Sequence, residues 1–330
     1  MPIPAIPAAP VNEGWTRNAS LPVPVEWQRT YVSITGAAGQ GAEVPLTGFI
    51  SQNWPATVLQ PGATGLDMPP FELHTDDSPN LDGSIFRGTR AATREVLLPL
   101  FVYGPDRRTM IQFKRNLATA LNPKNGHCVL KFVETDGVPR YLNCYYKAGM
   151  EGSETTDASG FTWMKYGVQL SAFDPWFYGD VLTNASWSFG SPMPFLGSTS
   201  LLPLTLSQGT LSGNAVNVRN PGDIEAWPVW TVTGPLRSLR VTGPSGTYWE
   251  IPAAADGTDV LPAARTLTVD TRPGFKSLLD DQGRNYYPLL SPNPALWSAP
   301  VGASRAQIDA VAGSGTASVS MTLSPRYASY

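Results

Sequence analysis

Toward the end of the chain, apolar side chains fall at every second position. Ala317, Val319, Met321 and Leu323 alternate with Thr316, Ser318, Ser320 and Thr322. Leu267 and Val269 alternate with Thr266, Thr268 and Asp270, and Leu239 and Val241 with Arg240 and Thr242. A period of two places one apolar face on a pleated strand and cannot build a helix stripe. These runs are short and end in turn chemistry such as Asn220-Pro-Gly-Asp223 and Gly234-Pro235. One-faced strands between such turns predict a β-sandwich. Composition agrees. The 330 residues hold 31 Gly and 32 Pro, and only 15% are charged, against about 25% in an average domain. That excludes a coiled coil, a helical bundle and a disordered polyampholyte.

The first half carries the one clear helix. Arg94-Glu-Val-Leu-Leu-Pro-Leu-Phe-Val-Tyr103 is apolar at both alternating sets of positions and predicts a strand buried on both sides. Gly104-Pro105-Asp106 then starts a helix over about 105–121, with an acid suited to its N-terminus. Met110, Phe113, Leu117 and Leu121 form its core stripe. Arg107, Arg108, Lys114 and Arg115 gather on another face. A solvated face and a basic track toward nucleic acid or an acidic partner both fit that pattern. Strand patterning resumes at Gly160 and stops at Asp174-Pro175, before Trp176-Phe177-Tyr178.

These features divide the chain into residues 1–26, a proline-rich extended arm, then 27–180, then 181–330. The arm has prolines at 2, 4, 7, 10, 22 and 24, and an extended apolar arm needs a surface to lie on, a neighbouring subunit or its own domain. Residues 55–90 read as a loop-rich insertion.

Charge sets few limits. The net charge of −3 offers no global basic excess, no apolar run approaches a membrane span, and the first residues lack the basic region of a signal peptide. Assembly in a cytoplasm is the expectation. Cys128 and Cys144 flank a hairpin signal at Thr135-Asp136-Gly137. A three-residue loop puts them opposite each other, and a two-residue loop offsets them by one. Two buried thiols are expected rather than a disulfide.

Catalytic patterns are mostly missing. The two histidines, His74 and His127, make no zinc motif, and neither a nucleophile elbow nor a phosphate loop occurs. His127 and Cys128 are strand neighbours and point apart. Asp223 and Glu225 lie two apart on one predicted strand face, a weak carboxylate pair. Ser78-Pro-Asn80-Leu-Asp82-Gly83 lacks the glutamate of a calcium loop, since Thr89 stands in its place. No catalytic residue, cofactor or metal is assigned. Trp227 and Trp230, three apart, face opposite ways, which leaves Trp249, near a turn, as the candidate for stacking on a sugar.

Several segments resemble the distal tail protein (Dit) family of long, non-contractile phage tails, especially in phages of actinobacteria. The longest is Asn220-Pro-Gly-Asp-Ile-Glu-Ala-Trp-Pro-Val-Trp-Thr-Val-Thr-Gly-Pro235. Arg94-Glu-Val-Leu-Leu-Pro-Leu100, Leu121-Asn-Pro123, Phe173-Asp-Pro-Trp-Phe-Tyr-Gly179, Val269-Asp-Thr271, Leu296-Trp297 and Ser324-Pro-Arg-Tyr327 follow the same order. Residues 55–90 match nothing in that pattern. The resemblance implies a mainly β fold: an N-terminal β-sandwich-like domain with one α-helix, then a C-terminal galectin-like β-sandwich. It implies a structural virion protein, not an enzyme, that forms a hexameric ring at the tail tip. The implied partners are further copies of itself, the tail tube protein, the tail-associated hub protein and the tape measure protein, with DNA in passage and no membrane insertion. On that reading Arg107, Arg108, Lys114 and Arg115 face the lumen or a partner. A carbohydrate-binding module contacting the host surface is the alternative, with Trp249 as its platform.

Overall fold

The computed structural model describes residues 30–37, 43–47, 55–77, 80, 82–134, 136–152, 162–190 and 210–330. The proline-rich arm, most of the Gly36-to-Gly41 turn and Ser78 of the calcium-like run lie outside them.

The first unit holds one large antiparallel sheet, a separate two-stranded hairpin and a helix. Its strands are β1 (Tyr31–Thr35), β2 (Val44–Pro45), β3 (Ala56–Leu59), β4 (Phe71–Asp77), β5 (Ser84–Ala91), β6 (Arg94–Tyr103), β7 (Cys128–Val133), β8 (Pro139–Ala148), β9 (Trp163–Ala172) and β10 (Phe177–Tyr178). The main order is β2-β1-β7-β8-β9-β6-β3. Its two ends meet, because Thr47 bridges to Val58 and Leu59 N–H donates to Leu46 O at 2.7 Å. The sheet therefore rolls into a closed layer whose interior holds Val32, Ile34, Leu98, Leu100, Leu130 and Val168. Strand β6 buries one face, Val96 to Val102, and leaves the other half-covered, so it is not buried equally on both sides as its composition predicts.

Helix α1 (Arg107–Leu121) covers this unit with Met110, Leu117, Ala120 and Leu121. It starts two residues after the predicted position because Asp106 is the N-cap. Its backbone is extended and its carboxylate accepts from Thr109 N–H at 2.9 Å. Those hydrogen bonds hold the Asp106 carboxyl below its usual range. Asn122 ends the helix.

The 55–90 segment is not a plain loop. Strand β3 belongs to the main sheet, while β4 and β5 form a separate two-stranded hairpin.

The second unit is a sandwich. One sheet runs β11 (Leu182–Phe189), β19 (Ala317–Leu323), β13 (Pro228–Thr233), β16 (Thr266–Asp270) and β17 (Ser277–Asp280). The other runs β12 (Thr210–Asn220), β18 (Gly302–Ala312), β14 (Leu236–Thr242) and β15 (Tyr248–Ile251). Trp230 lies at the centre, edge-on to Trp249 at 6.2 Å and Trp297 at 6.0 Å. Gly243 makes room for this cluster, since a Cβ there would sit 2.5 Å from the Trp297 ring.

The last strand, β20 (Arg326–Tyr327), leaves the sandwich and pairs with β10 in the first unit. Tyr330 then stacks on Phe132 with ring centres 4.6 Å apart. Arg94 fixes this return. It is 1% exposed. Its guanidinium donates to Pro175 O at 2.8 Å, Gly65 O at 3.0 Å, Ala328 O at 2.7 Å and also Asp67 O. Burial pulls its pKa down, but guanidinium stays charged in proteins. Replacing it by Leu leaves four backbone carbonyls without their donor, that of Pro175 buried. Arg94→Leu should therefore lower stability by about 3–5 kcal/mol, read as a drop in the urea midpoint.

Cys128 and Cys144 are directly opposite each other across β7 and β8, the register expected of a three-residue loop, although residues 134–138 connect the two strands. Both are free and buried, and the Cys128 thiol donates to Cys144 O at 3.3 Å. Burial raises the Cys128 pKa to about 12 and pushes that of Cys144 up as well. Because a raised pKa keeps a thiol protonated below it, neither should react with iodoacetamide at pH 8 until denaturant is added. Mass spectrometry of alkylated protein reads this directly.

Candidate functional site

Asp223 and Glu225 both serve the fold. Residues 223 and 225 do not lie in a regular strand, because the chain there makes isolated bridges, Ile224 to Arg326 and Ala226 to Ala299. Asp223 accepts from Ala328 N–H at 2.9 Å, and Glu225 accepts from Ser298 O–H at 2.5 Å. Asp280 closes its own turn, accepting from Gln282 and Arg284 N–H. His127 lies edge-on to Tyr145. Among the described residues, no three His, Cys, Asp or Glu side chains gather closely enough to hold a metal.

Trp249 is a correction. It has no exposed surface and packs on Trp230 inside the sandwich. A sugar cannot stack on it. Its place on a short strand beside the Ser245-Gly246 turn suggested freedom, but the strand turns its ring inward.

The four basic residues do lie on one side of α1. A seven-residue step is nearly two turns, so Arg108 aligns with Arg115 and Arg107 with Lys114. Arg108 and Arg115 are exposed. Arg107 and Lys114 are half-covered and already engaged with other groups. The exposed track is thus a pair, not a quartet.

Two features escaped the sequence reading. The first is the β4–β5 hairpin. Every residue of β4 is exposed. Cross-strand pairs, Arg90 with Glu72 and Arg87 with Asp76, both at 2.6 Å, line part of it. Exposed ion pairs of this kind add little stability. The hairpin also carries Leu73 at 67% exposure, Phe86 at 61%, and Ile85. A lone two-stranded hairpin is marginal in water, and this one exposes apolar side chains on both of its faces. Opposed charges at Glu72, Asp76, Arg87 and Arg90 were the available signal for paired strands.

The second is a groove where the two units meet, about 820 Å³ in volume. Phe173, Trp176 and Tyr178 from the first unit face Trp227, Arg272 and Phe275 from the second. The turn Asn220-Pro-Gly-Asp223 holds the nearby chain in place. The Asn220 side chain is buried and donates to Ile224 O and Ala299 O. Gly222 allows the close pass of the last strand, since a Cβ there would lie 2.4 Å from Arg326 O. Tyr178 O–H donates to the Asp174 carboxylate, and burial raises the Tyr178 pKa further.

No protein-family model matches the chain, and no curated protein matches it in sequence. Solved structures do match. The Dit protein of phage SPP1, described as a paradigm of the hub adsorption apparatus in phages that infect Gram-positive bacteria, aligns with a TM-score of 0.57 and 12% identity. The alignment covers 89% of this chain and 98% of that one. A chain of the phage P2 baseplate, in its activated conformation with calcium, aligns at 0.53 with 8% identity, over 92% of this chain and 100% of that one. With nearly the whole of both chains in register, this protein has the fold of the phage Dit proteins.

Proposed function

We propose that this chain is a structural protein of a phage tail tip, a distal tail protein that closes a hexameric ring between the tail tube and the hub. The observation that supports it most is the extent of the likeness to the SPP1 Dit protein, which spans that protein almost entirely. A domain borrowed for another purpose would match over one unit only. On this reading the protein acts by assembly and symmetry and does no catalysis. It is built into the virion in the host cytoplasm. Its partners are other copies of itself, the tail tube protein and the tail-associated hub protein. The tape measure protein and then the DNA pass through the lumen.

The physical chemistry of the hairpin suits a ring. Closure needs one patch of a subunit to meet a different patch of the next. The bare β4–β5 hairpin, with Leu73, Ile85 and Phe86, is our choice for one of those patches. The carbohydrate-binding alternative has lost its platform, because Trp249 is buried.

Light scattering of the purified protein, alone and mixed with tail tube and hub proteins, should give six times the chain mass, with rings in negative stain. Leu73→Ser with Phe86→Ser should leave the fold intact and abolish the rings. A monomer under all of these conditions would overturn the reading. For the lumen role of α1, Arg108→Ser with Arg115→Ser is the cleaner test, because Arg107 and Lys114 have internal contacts. Tails should assemble normally while DNA delivery falls about tenfold or more. Normal infection by the double variant would reject that role.

A further inference from the structure

The junction groove has the chemistry of a site for an extended apolar peptide. Its aromatic rims are bare, with Phe173 at 67% and Phe275 at 69% exposure. Three of its charged groups are already engaged. Asp174 takes the Tyr178 hydroxyl and Trp176 N–H. Arg272 grips Asp270 at 2.6 Å, and Arg326 donates to Glu225 O and lies over the Trp176 ring. Apolar side chains of an extended peptide would find rings to lie against.

The sequence contains such a peptide. Pro4, Pro7 and Pro10 repeat every three residues, as do Ile3 and Ile6. Polyproline II has three residues per turn, so each set lines one edge. No charge occurs before Glu13. Proline-rich segments dock on aromatic grooves because their extended form is already set and little entropy is lost on binding. The described chain begins at Thr30. Residues 11–29, extended at about 3.1 Å each, span about 60 Å, ample reach to the groove.

We propose that residues 3–10 of this chain occupy the groove between Phe173, Trp176, Trp227 and Phe275. This docking does not depend on the hexameric ring, so either idea stands or falls without the other. The occupied groove would cover the two phenylalanines and tie the arm across both units.

The test uses the full chain with a photoreactive benzoylphenylalanine in place of Ile6. After irradiation, digestion and mass spectrometry, adducts should map to residues 173–178, 227 or 272–275. Phe173→Ser with Phe275→Ser should cut their yield about tenfold. Both positions are exposed, and circular dichroism checks the fold. If the double variant does not fold, the adduct map of the parent chain decides alone. Adducts elsewhere, or a yield unchanged in the folded double variant, overturn the proposal. So does quenching of tryptophan fluorescence by cell-wall saccharide fragments when the Ile6 adducts lie outside the groove, because the groove would then be a glycan site.

Discussion

A guanidinium with almost no access to water must find acceptors for its donors, and Arg94 finds them in backbone carbonyls from three distant segments. Gly65 and Asp67 follow β3, Pro175 follows β9, and Ala328 follows β20. Taking a charge out of water costs several kcal/mol, so the arrangement holds only when all three segments are present together. A lysine could not replace it, because one ammonium lacks the planar fork that reaches several carbonyls at once. Phe177 lies under the guanidinium at 4.9 Å and adds a cation–π contact. What the fold presents outward follows from this position. Pro175 precedes Trp176, one wall of the groove, and Phe71 at the base of the hairpin lies edge-on to Trp176.

The second unit reaches the same place from the other side. Asn220 and Gly222 shape a turn whose next residue, Asp223, both donates through its N–H to Arg326 O and accepts from Ala328 N–H. Arg140 over the Tyr327 ring, at 3.7 Å, closes the remaining side. The last residues are therefore held by a carboxylate of the sandwich, a guanidinium of the closed sheet and an aromatic stack. The longest segment of family resemblance, beginning at Asn220, contains the turn that makes this grip.

Much of the fold was legible because it rests on local rules. The alternation from Ala317 to Leu323 is strand β19 with every odd residue buried. The helix stripe and its end at Asn122 were readable from spacing and capping chemistry, and its start missed only because Asp106 caps the helix instead of joining it. What sequence could not show depends on distant partners. Arg94 looks like an ordinary charged strand end until four carbonyls arrive from elsewhere. Trp249 looks free until Trp230 packs edge-on against it. The closure of the first sheet turns on one bridge, Thr47 to Val58, between two short segments with no patterning of their own. The hairpin read as a loop because its apolar residues have no core to face, so the period-two signal had no buried side to reveal it.

The contact between Arg94 and Ala328 joins residues 234 positions apart. A ribosome therefore makes β6 long before it makes the carbonyl that completes the set around Arg94. Through all that interval the closed sheet has the charge in place but lacks an acceptor, the β20 edge and the ring of Tyr330. A chain interrupted before residue 328 keeps that defect, at the junction that shapes the groove and the hairpin base. The set of acceptors around Arg94 is thus complete only once β20 has been made and has paired with β10.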